Sequence, residues 1–283
     1  MYPFLTIFGQ QIPTFSLMGI FGVVIATFVA GFRAKRYDLT RWDLVNIAAI
    51  AGIGIVLGSA IMFAIVNIPN ISGWWSGAMV AEAGGVGGFA GLFQFLSRLF
   101  GGMVFYGGLF GTIIAVFVYC KYMKLSFGSV ISIAVPVFPL AHAFMRIGCF
   151  LAGCCYGMRV EGTALERFGI AVTRWSTHAS AVVPNGVRIP VQLYESAANL
   201  VIFAIIWTFT RKERNWKSIV CLYGIMYSVV RFFLELLRGD AVRGIWQFGM
   251  STSQWISVGV FALCAAVLIY ERVKISKNVK NNL

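Results

Sequence analysis

Two arginines carry the strongest chemical signal in this chain. Arg146 follows directly on an apolar run that ends at Met145, and Arg231 lies inside another that extends from Ser218 to Leu237. A guanidinium in such surroundings costs several kcal/mol unless something anionic meets it, so each is a candidate functional residue rather than a surface charge. Arginine presents a planar fork of donors that grips phosphate in bidentate fashion and stays protonated when desolvated. A phosphate ester lying between the two is the chemistry this pair suits. The bland alternative is an internal ion pair, because Glu235 and Arg238 follow Arg231 at i+4 and i+7 on the same helix face. His142 stands one helical turn before Arg146 and is a candidate proton acceptor, with Pro136 and Pro139 placed to rotate it away. Cys149, Cys154 and Cys155 cluster just beyond. Buried or free thiols, an internal disulfide and a metal site with His142 are all open for them, although Cys-x₄-Cys-Cys is not a recognised zinc spacing.

The elements that position these residues are membrane spans. Of 283 residues, 59% are apolar and 12% charged, against about half and a quarter in a soluble domain. Apolar runs near 15–32, 44–66, 104–120, 130–145, 191–210, 218–237 and 253–270 each approach the roughly 20 residues needed to cross a bilayer. The expectation is an all-α, polytopic membrane protein with seven transmembrane helices. Residues 1–283 then form a single integral membrane domain, with an outer interfacial or re-entrant segment at 67–103 and a small outer-face lobe at 146–190. The first segment holds Trp74, Trp75 and a glycine-rich run at 83–88, and the second carries Asn185-Gly186 as a turn signal.

Charge sets the expected orientation. With the amino terminus outside and the first span retained as an anchor, the clusters Arg33–Arg41, Lys121–Lys124, Arg211–Lys217 and Arg272–Lys280 all face the cytoplasm, together with every lysine. The net charge of +13 therefore reads as topology and not as nucleic-acid binding. The nine basic residues elsewhere, Arg98, Arg146, Arg159, Arg167, Arg174, Arg188, Arg231, Arg238 and Arg243, are all arginine, of which interfacial snorkelling and ion pairing account for more than half.

Ordered motifs link these elements to a known family. The run Gly101-Gly102-Met103-Val104-Phe105-Tyr106-Gly107-Gly108-Leu109-Phe110-Gly111, then Arg146-Ile147-Gly148-Cys149-Phe150 with Gly153 and Gly157, then Arg188-Ile189-Pro190-Val191-Gln192-Leu193-Tyr194-Glu195, then Tyr227 to Arg231-Phe232 with Glu235 and Arg238, and finally Gln254 and Ser257, together resemble the prolipoprotein diacylglyceryl transferase family. Members of that family move the diacylglyceryl group of phosphatidylglycerol to the thiol of a lipobox cysteine in a prolipoprotein signal peptide, in the bacterial cytoplasmic (inner) membrane. The resemblance implies Arg146 and Arg231 as the phosphate-handling pair. It further implies Gly107, Gly108 and Gly157 as pocket-shaping residues, Glu235 and Arg238 as residues that orient the sixth helix, and Cys149, Gln192, Tyr194 and Glu195 as substrate-binding positions, with no cofactor and no metal.

Three positions depart from the family pattern. Tyr106 stands where the family has histidine, Cys149 where it has asparagine, and Phe15 where it has tyrosine. The expectation is that His142 supplies the base and Tyr106 holds a lipid oxygen. A paralogue acting on another acceptor, or a non-catalytic lipid-binding or lipid-transporting membrane protein, are the alternative readings.

Overall fold

The structure, a computed structural model, describes residues 2, 4–7, 9–79, 90–92, 95–96, 104–172, 186–239 and 249–281. Helix dominates. Among the described residues, six helices are long and apolar enough to cross a membrane, and Tyr106–Tyr122 adds a shorter apolar one. The all-α polytopic class is therefore confirmed, and the seven apolar runs of the sequence all become helix. Arg98, Arg174, Arg243, His178, Asn185, the glycine-rich run at 83–88 and Gly101 to Met103 lie outside the described residues.

The chain divides into two compact units, Asp38–Phe127 on one hand and Met1–Tyr37 with Gly128–Leu283 on the other. In the unit Asp38–Phe127, helices α2 (Arg41–Val66) and α4 (Phe105–Tyr122) pack directly, with the short α3 (Ile71–Met79) between them in sequence. A capping box starts α2: Thr40 accepts from the Asp43 N–H while the Asp43 carboxylate accepts from the Thr40 N–H. Glycines bring the two long helices to backbone contact. A Cβ at Gly54 would sit 2.7 Å from the Gly111 carbonyl oxygen, and one at Gly58 would collide with the Gly107 carbonyl. Small residues one turn apart are what allow helices in lipid to approach this closely. Trp74 of α3 stacks on Phe63 of α2 at 6.1 Å.

The other unit begins with an antiparallel pair, β1 (Phe4–Ile7) and β2 (Gln10–Pro13), which leads into α1 (Thr14–Gly31). Four further helices follow: α5 (Phe127–Ala152), α6 (Val191–Phe209), α7 (Trp216–Leu236) and α8 (Thr252–Asn281). Helix α1 crosses α5 at Gly22, where an added Cβ would meet Ala141 O and Phe144 Cβ at 2.8 Å. Ile202 and Ile206 of α6 bury against Ile219 of α7. Helix α7 is capped by Asn215, whose side chain accepts from the Lys217 N–H, and α8 by Ser251 together with Gln254.

The basic segments converge at one end of this unit. Arg33 donates to Thr210 Oγ1 at 2.7 Å and to Trp207 O at 2.8 Å, with its guanidinium 3.5 Å from the Trp207 ring centroid. Arg36 donates to Thr210 O and Arg211 O. These cations satisfy carbonyls at the carboxyl end of α6 and complement its dipole. Lys217 pairs with Glu271 at 3.2 Å, which brings the start of α7 beside the end of α8.

The opposite end carries a compact connection between α5 and α6. Gly157 bridges to Arg238 and Arg159 to Arg188, and β3 (Ile170–Val172) pairs with β4 (Gly186–Arg188). Val160, Ile189 and Val191 form its core, with Leu234 and Leu237 of the α7 end packed against them. Strand pairing in this segment was not anticipated from sequence.

Candidate functional site

Helix α5 does not stop before Arg146. It runs six residues further, to Ala152, and passes through Pro136 and Pro139 without a break, so His142 and Arg146 stay one turn apart on one face. Pro136 and Pro139, placed to rotate His142 away, leave the helix continuous, and His142 keeps the expected face with Arg146. Ser196 of α6 donates to Ala143 O at 3.0 Å, which locks α6 against this part of α5.

That contact delivers Glu195. Its carboxylate is 2% exposed, and Oε1 accepts from Arg146 Nη2 at 2.8 Å and from the Tyr227 hydroxyl at 2.8 Å. His142 Nε2 lies 3.7 Å from the same oxygen, and Arg231 Nη1 lies 3.9 Å from Oε2. Glu195 thus joins α5, α6 and α7 through charge-assisted contacts, which are about twice as strong as neutral hydrogen bonds. The His142 ring sits 5.3 Å from the Tyr227 ring and 5.9 Å from Phe138.

A second carboxylate extends the cluster. Glu235, also 2% exposed, holds Arg231 Nη2 at 2.6 Å through Oε2, and Arg238 Nη1 is 3.9 Å from the same oxygen. Arg231 Nη2 also donates to Ser253 Oγ of α8 at 3.1 Å. The ion pair anticipated between Arg231 and Glu235 is present, but it leaves part of each fork over. Arg146 Nε and Arg231 Nη1 are buried and make no hydrogen bond among the described residues. Buried N–H groups are almost always satisfied, so two open donors on neighbouring guanidiniums are unusual. They suit an anionic oxygen.

Other sequence-predicted residues are held in different ways. Gln192 Nε2 donates to Cys154 O at 2.7 Å and so fixes the turn after α5 to the start of α6. Gly157 donates its N–H to Ile189 O at 3.2 Å in a backbone approach that leaves no room for a Cβ. The Tyr194 hydroxyl donates to Phe168 O at 2.9 Å, in the connection and away from the carboxylates. Tyr106, Gly107 and Gly108 belong to the unit Asp38–Phe127, where both glycines press on α2: a Cβ at Gly108 would stand 2.7 Å from Ser59 Oγ.

The thiols of Cys149, Cys154 and Cys155 are free, and their sulfurs all lie within 4.8 Å of one another. Arg146 Nη1 is 3.9 Å from Cys149 Sγ, and Cys154 Sγ is 3.7 Å from Cys149 O. Hydrogen bonds from Cys149 and Cys154, reinforced by the charges of Arg146 and Arg238, hold the Cys155 thiol well below its ordinary range. The same hydrogen bonding raises Cys154, which keeps its proton.

Glu195 was expected only as one substrate-binding position among several. Its part as the common anion of Arg146, Arg231 and His142 follows from the α5–α6 packing.

Residues 3–270 match a family model described as prolipoprotein diacylglyceryl transferase. The phosphatidylglycerol–prolipoprotein diacylglyceryl transferase of Clostridium tetani is 30% identical over 93% of this chain and 94% of its own. That of Clostridium novyi is 29% identical over 97% and 95%, and the Clostridium perfringens protein of that name numbered 2 is 28% identical over 93% and 92%.

Proposed function

The chain belongs to the prolipoprotein diacylglyceryl transferase family, and we propose that it moves the diacylglyceryl group of phosphatidylglycerol, or of another anionic phospholipid, onto the lipobox cysteine thiol of a prolipoprotein signal peptide. The observation that carries this reading is the convergence of Arg146 and Arg231 on Glu195 with donors left open on both guanidiniums.

In the reaction, the acceptor sulfur attacks the glyceryl carbon that bears the phosphate ester. A C–S bond forms, the C–O bond to phosphate breaks, and glycerol phosphate departs with the electron pair. The phosphate gains a negative charge as it leaves. Open N–H donors aimed at the oxygen where that charge develops stabilise the transition state more than the diester, and this difference is what accelerates the step. Arg146 and Arg231 serve this need. Glu195 and Glu235 orient the two forks through their remaining nitrogens.

The thiol must lose its proton, since a free thiol with a pKa near 8.5 is only a few per cent ionised at neutral pH. His142 is the proposed acceptor. It stands in the same cluster, fixed between Phe138 and Tyr227 and beside Glu195. Tyr106 is proposed to hold a lipid oxygen, and Gly107 and Gly108 to set the close packing of α4 on α2. Cys149, Gly157, Gln192, Tyr194 and Arg238 are proposed to shape the substrate site around these groups.

The proposed location is the bacterial cytoplasmic (inner) membrane, with the amino terminus outside and the carboxyl terminus cytoplasmic. The basic segments that gather around Thr210 and Glu271 at one end of the helices support that orientation. The segment 67–103 is proposed to lie at the outer interface, and the outer lobe expected at 146–190 to begin after Ala152, where α5 ends.

Complementation tests the function directly. In a strain depleted of its own diacylglyceryl transferase, the wild-type chain should restore growth and lipoprotein modification. A normally inserted chain that restores neither refutes the proposal.

A further inference from the structure

The transfer chemistry assigns no reacting role to the thiols of Cys149, Cys154 and Cys155, yet the fold assembles them with care. Cys149 is buried on the last turns of α5, and the chain reverses immediately afterwards through Gly153 at φ 75 and Cys155 at φ 57. A left-handed conformation suits glycine or asparagine and is uncommon for other residues. Here its effect is to bring Cys155 back over Cys149, so that all three sulfurs fall within 4.8 Å of one another. Gln192 secures the turn by donating to Cys154 O at 2.7 Å. The three thiols are unbridged. Two cations border them: Arg146 Nη1 lies 3.9 Å from Cys149 Sγ, and the charges of Arg146 and Arg238 both act on Cys155.

We propose that Cys149, Cys154 and Cys155 form a three-thiolate site for a soft, thiophilic metal ion, and that cuprous copper is the ion they fit best. Soft sulfur ligands select Cu(I), zinc or iron–sulfur clusters. Structural zinc is almost always bound by four protein ligands, and the described residues offer three here. Three-coordinate geometry is ordinary for Cu(I). A metal–sulfur bond of about 2.3 Å in a trigonal plane separates the sulfurs by about 4 Å, so the cluster needs to tighten by less than about 1 Å. Charge also helps. Three thiolates and one Cu(I) sum to two negative charges, offset in part by the guanidiniums of Arg146 and Arg238, which also face Glu195 and Glu235. Binding releases to solvent the protons that the thiols still carry, and no oxidation state changes.

The site shares Arg146 with the Glu195 cluster, so copper occupancy draws that guanidinium toward the thiolates and lowers transfer. The metal site itself does not rest on the transferase reading, and binding is measured apart from activity. Purified full-length protein in detergent is reduced, freed of reductant and titrated anaerobically with Cu(I) against a chromophoric cuprous chelator. Wild type should withhold one equivalent of copper, Cys155→Ser should hold it at least tenfold more weakly, and Cys221→Ala should match wild type. Failure of wild type to compete, or equal retention by Cys155→Ser, overturns the proposal. Should Cys155→Ser not fold, alkylation of the wild-type protein decides: Cu(I) should shield Cys154 and Cys155 from labelling, and unchanged labelling overturns the site.

Discussion

Replacing Glu195 with glutamine tests the core of the site with little change in shape. Glu195 is the carboxylate that Arg146 touches among the described residues, at 2.8 Å, and it also accepts from Tyr227 and faces Arg231 and His142. Glu195→Gln keeps one acceptor oxygen and removes the charge. Arg146 is then a buried cation without its anion, a defect that costs about 3–5 kcal/mol when one partner of a buried pair is lost. At roughly 2–4 °C per kcal/mol for a chain of comparable size, the thermal midpoint in detergent should fall by on the order of 10 °C. The lipid environment supplies a second, more selective readout. If the open donors of Arg146 and Arg231 receive a phosphate, anionic lipid should restore part of the lost balance. Reconstitution in phosphatidylglycerol should therefore narrow the gap between variant and wild type relative to phosphatidylcholine. A variant that melts within about 2 °C of wild type in detergent refutes the ion-pair centre. An equal gap in both lipids refutes the phosphate.

Arg146→Lys and Arg231→Lys keep charge but lose the fork, so each should reduce transfer to a lipobox peptide by about a hundredfold or more while extraction yield stays normal; wild-type turnover in both would leave them as structural partners. His142→Ala should lower kcat by at least about a hundredfold, the usual contribution of a general base, and Tyr106→His should recover part of it; full activity in His142→Ala would move the base elsewhere. A reporter fused after Leu283 should read cytoplasmic and one inserted near Asn185 should read external, and the same side for both contradicts the three spans expected between them. Gly58→Val should prevent recovery of monodisperse protein, because its side chain would occupy the place of the Gly107 carbonyl; a well-behaved variant shows that the α2–α4 contact is dispensable.

Span existence was legible because lipid imposes a length of roughly 20 apolar residues on every crossing helix, and the apolar runs meet that demand wherever no polar residue interrupts them. Span ends were less legible where function places polar groups inside the bilayer. His142 and Arg146 made the fourth run look finished at Met145, whereas in the structure Glu195 meets both side chains and α5 continues to Ala152. Pro136 and Pro139 could have turned His142 away and do not. The helix is continuous through both, and packing against α1 and α6 accompanies the kept register of His142 and Arg146. The paired strands β3 and β4 had no signal, since three-residue strands carry too little alternation to separate them from loop.

The pair Arg146 and Arg231 was legible from cost alone, because two arginines in apolar runs need an explanation. What sequence did not rank was Glu195. A glutamate in the first turns of a helix is ordinarily accounted for by the helix dipole and by solvent, and its burial depends on α5 lying across it through Ser196 and Ala143. Once placed, it changes the meaning of both arginines. An ion pair evolved only for stability would be expected to spend each guanidinium fully, since every unsatisfied buried donor is a penalty. Arg146 instead gives Nη2 to Glu195 and turns Nη1 toward a sulfur, and Arg231 gives Nη2 to Glu235 and Ser253. One nitrogen on each remains without a hydrogen bond among the described residues. The carboxylates fix the direction of the forks without exhausting them. That division of donors, rather than the mere presence of charge, is the feature that a phosphate leaving group requires.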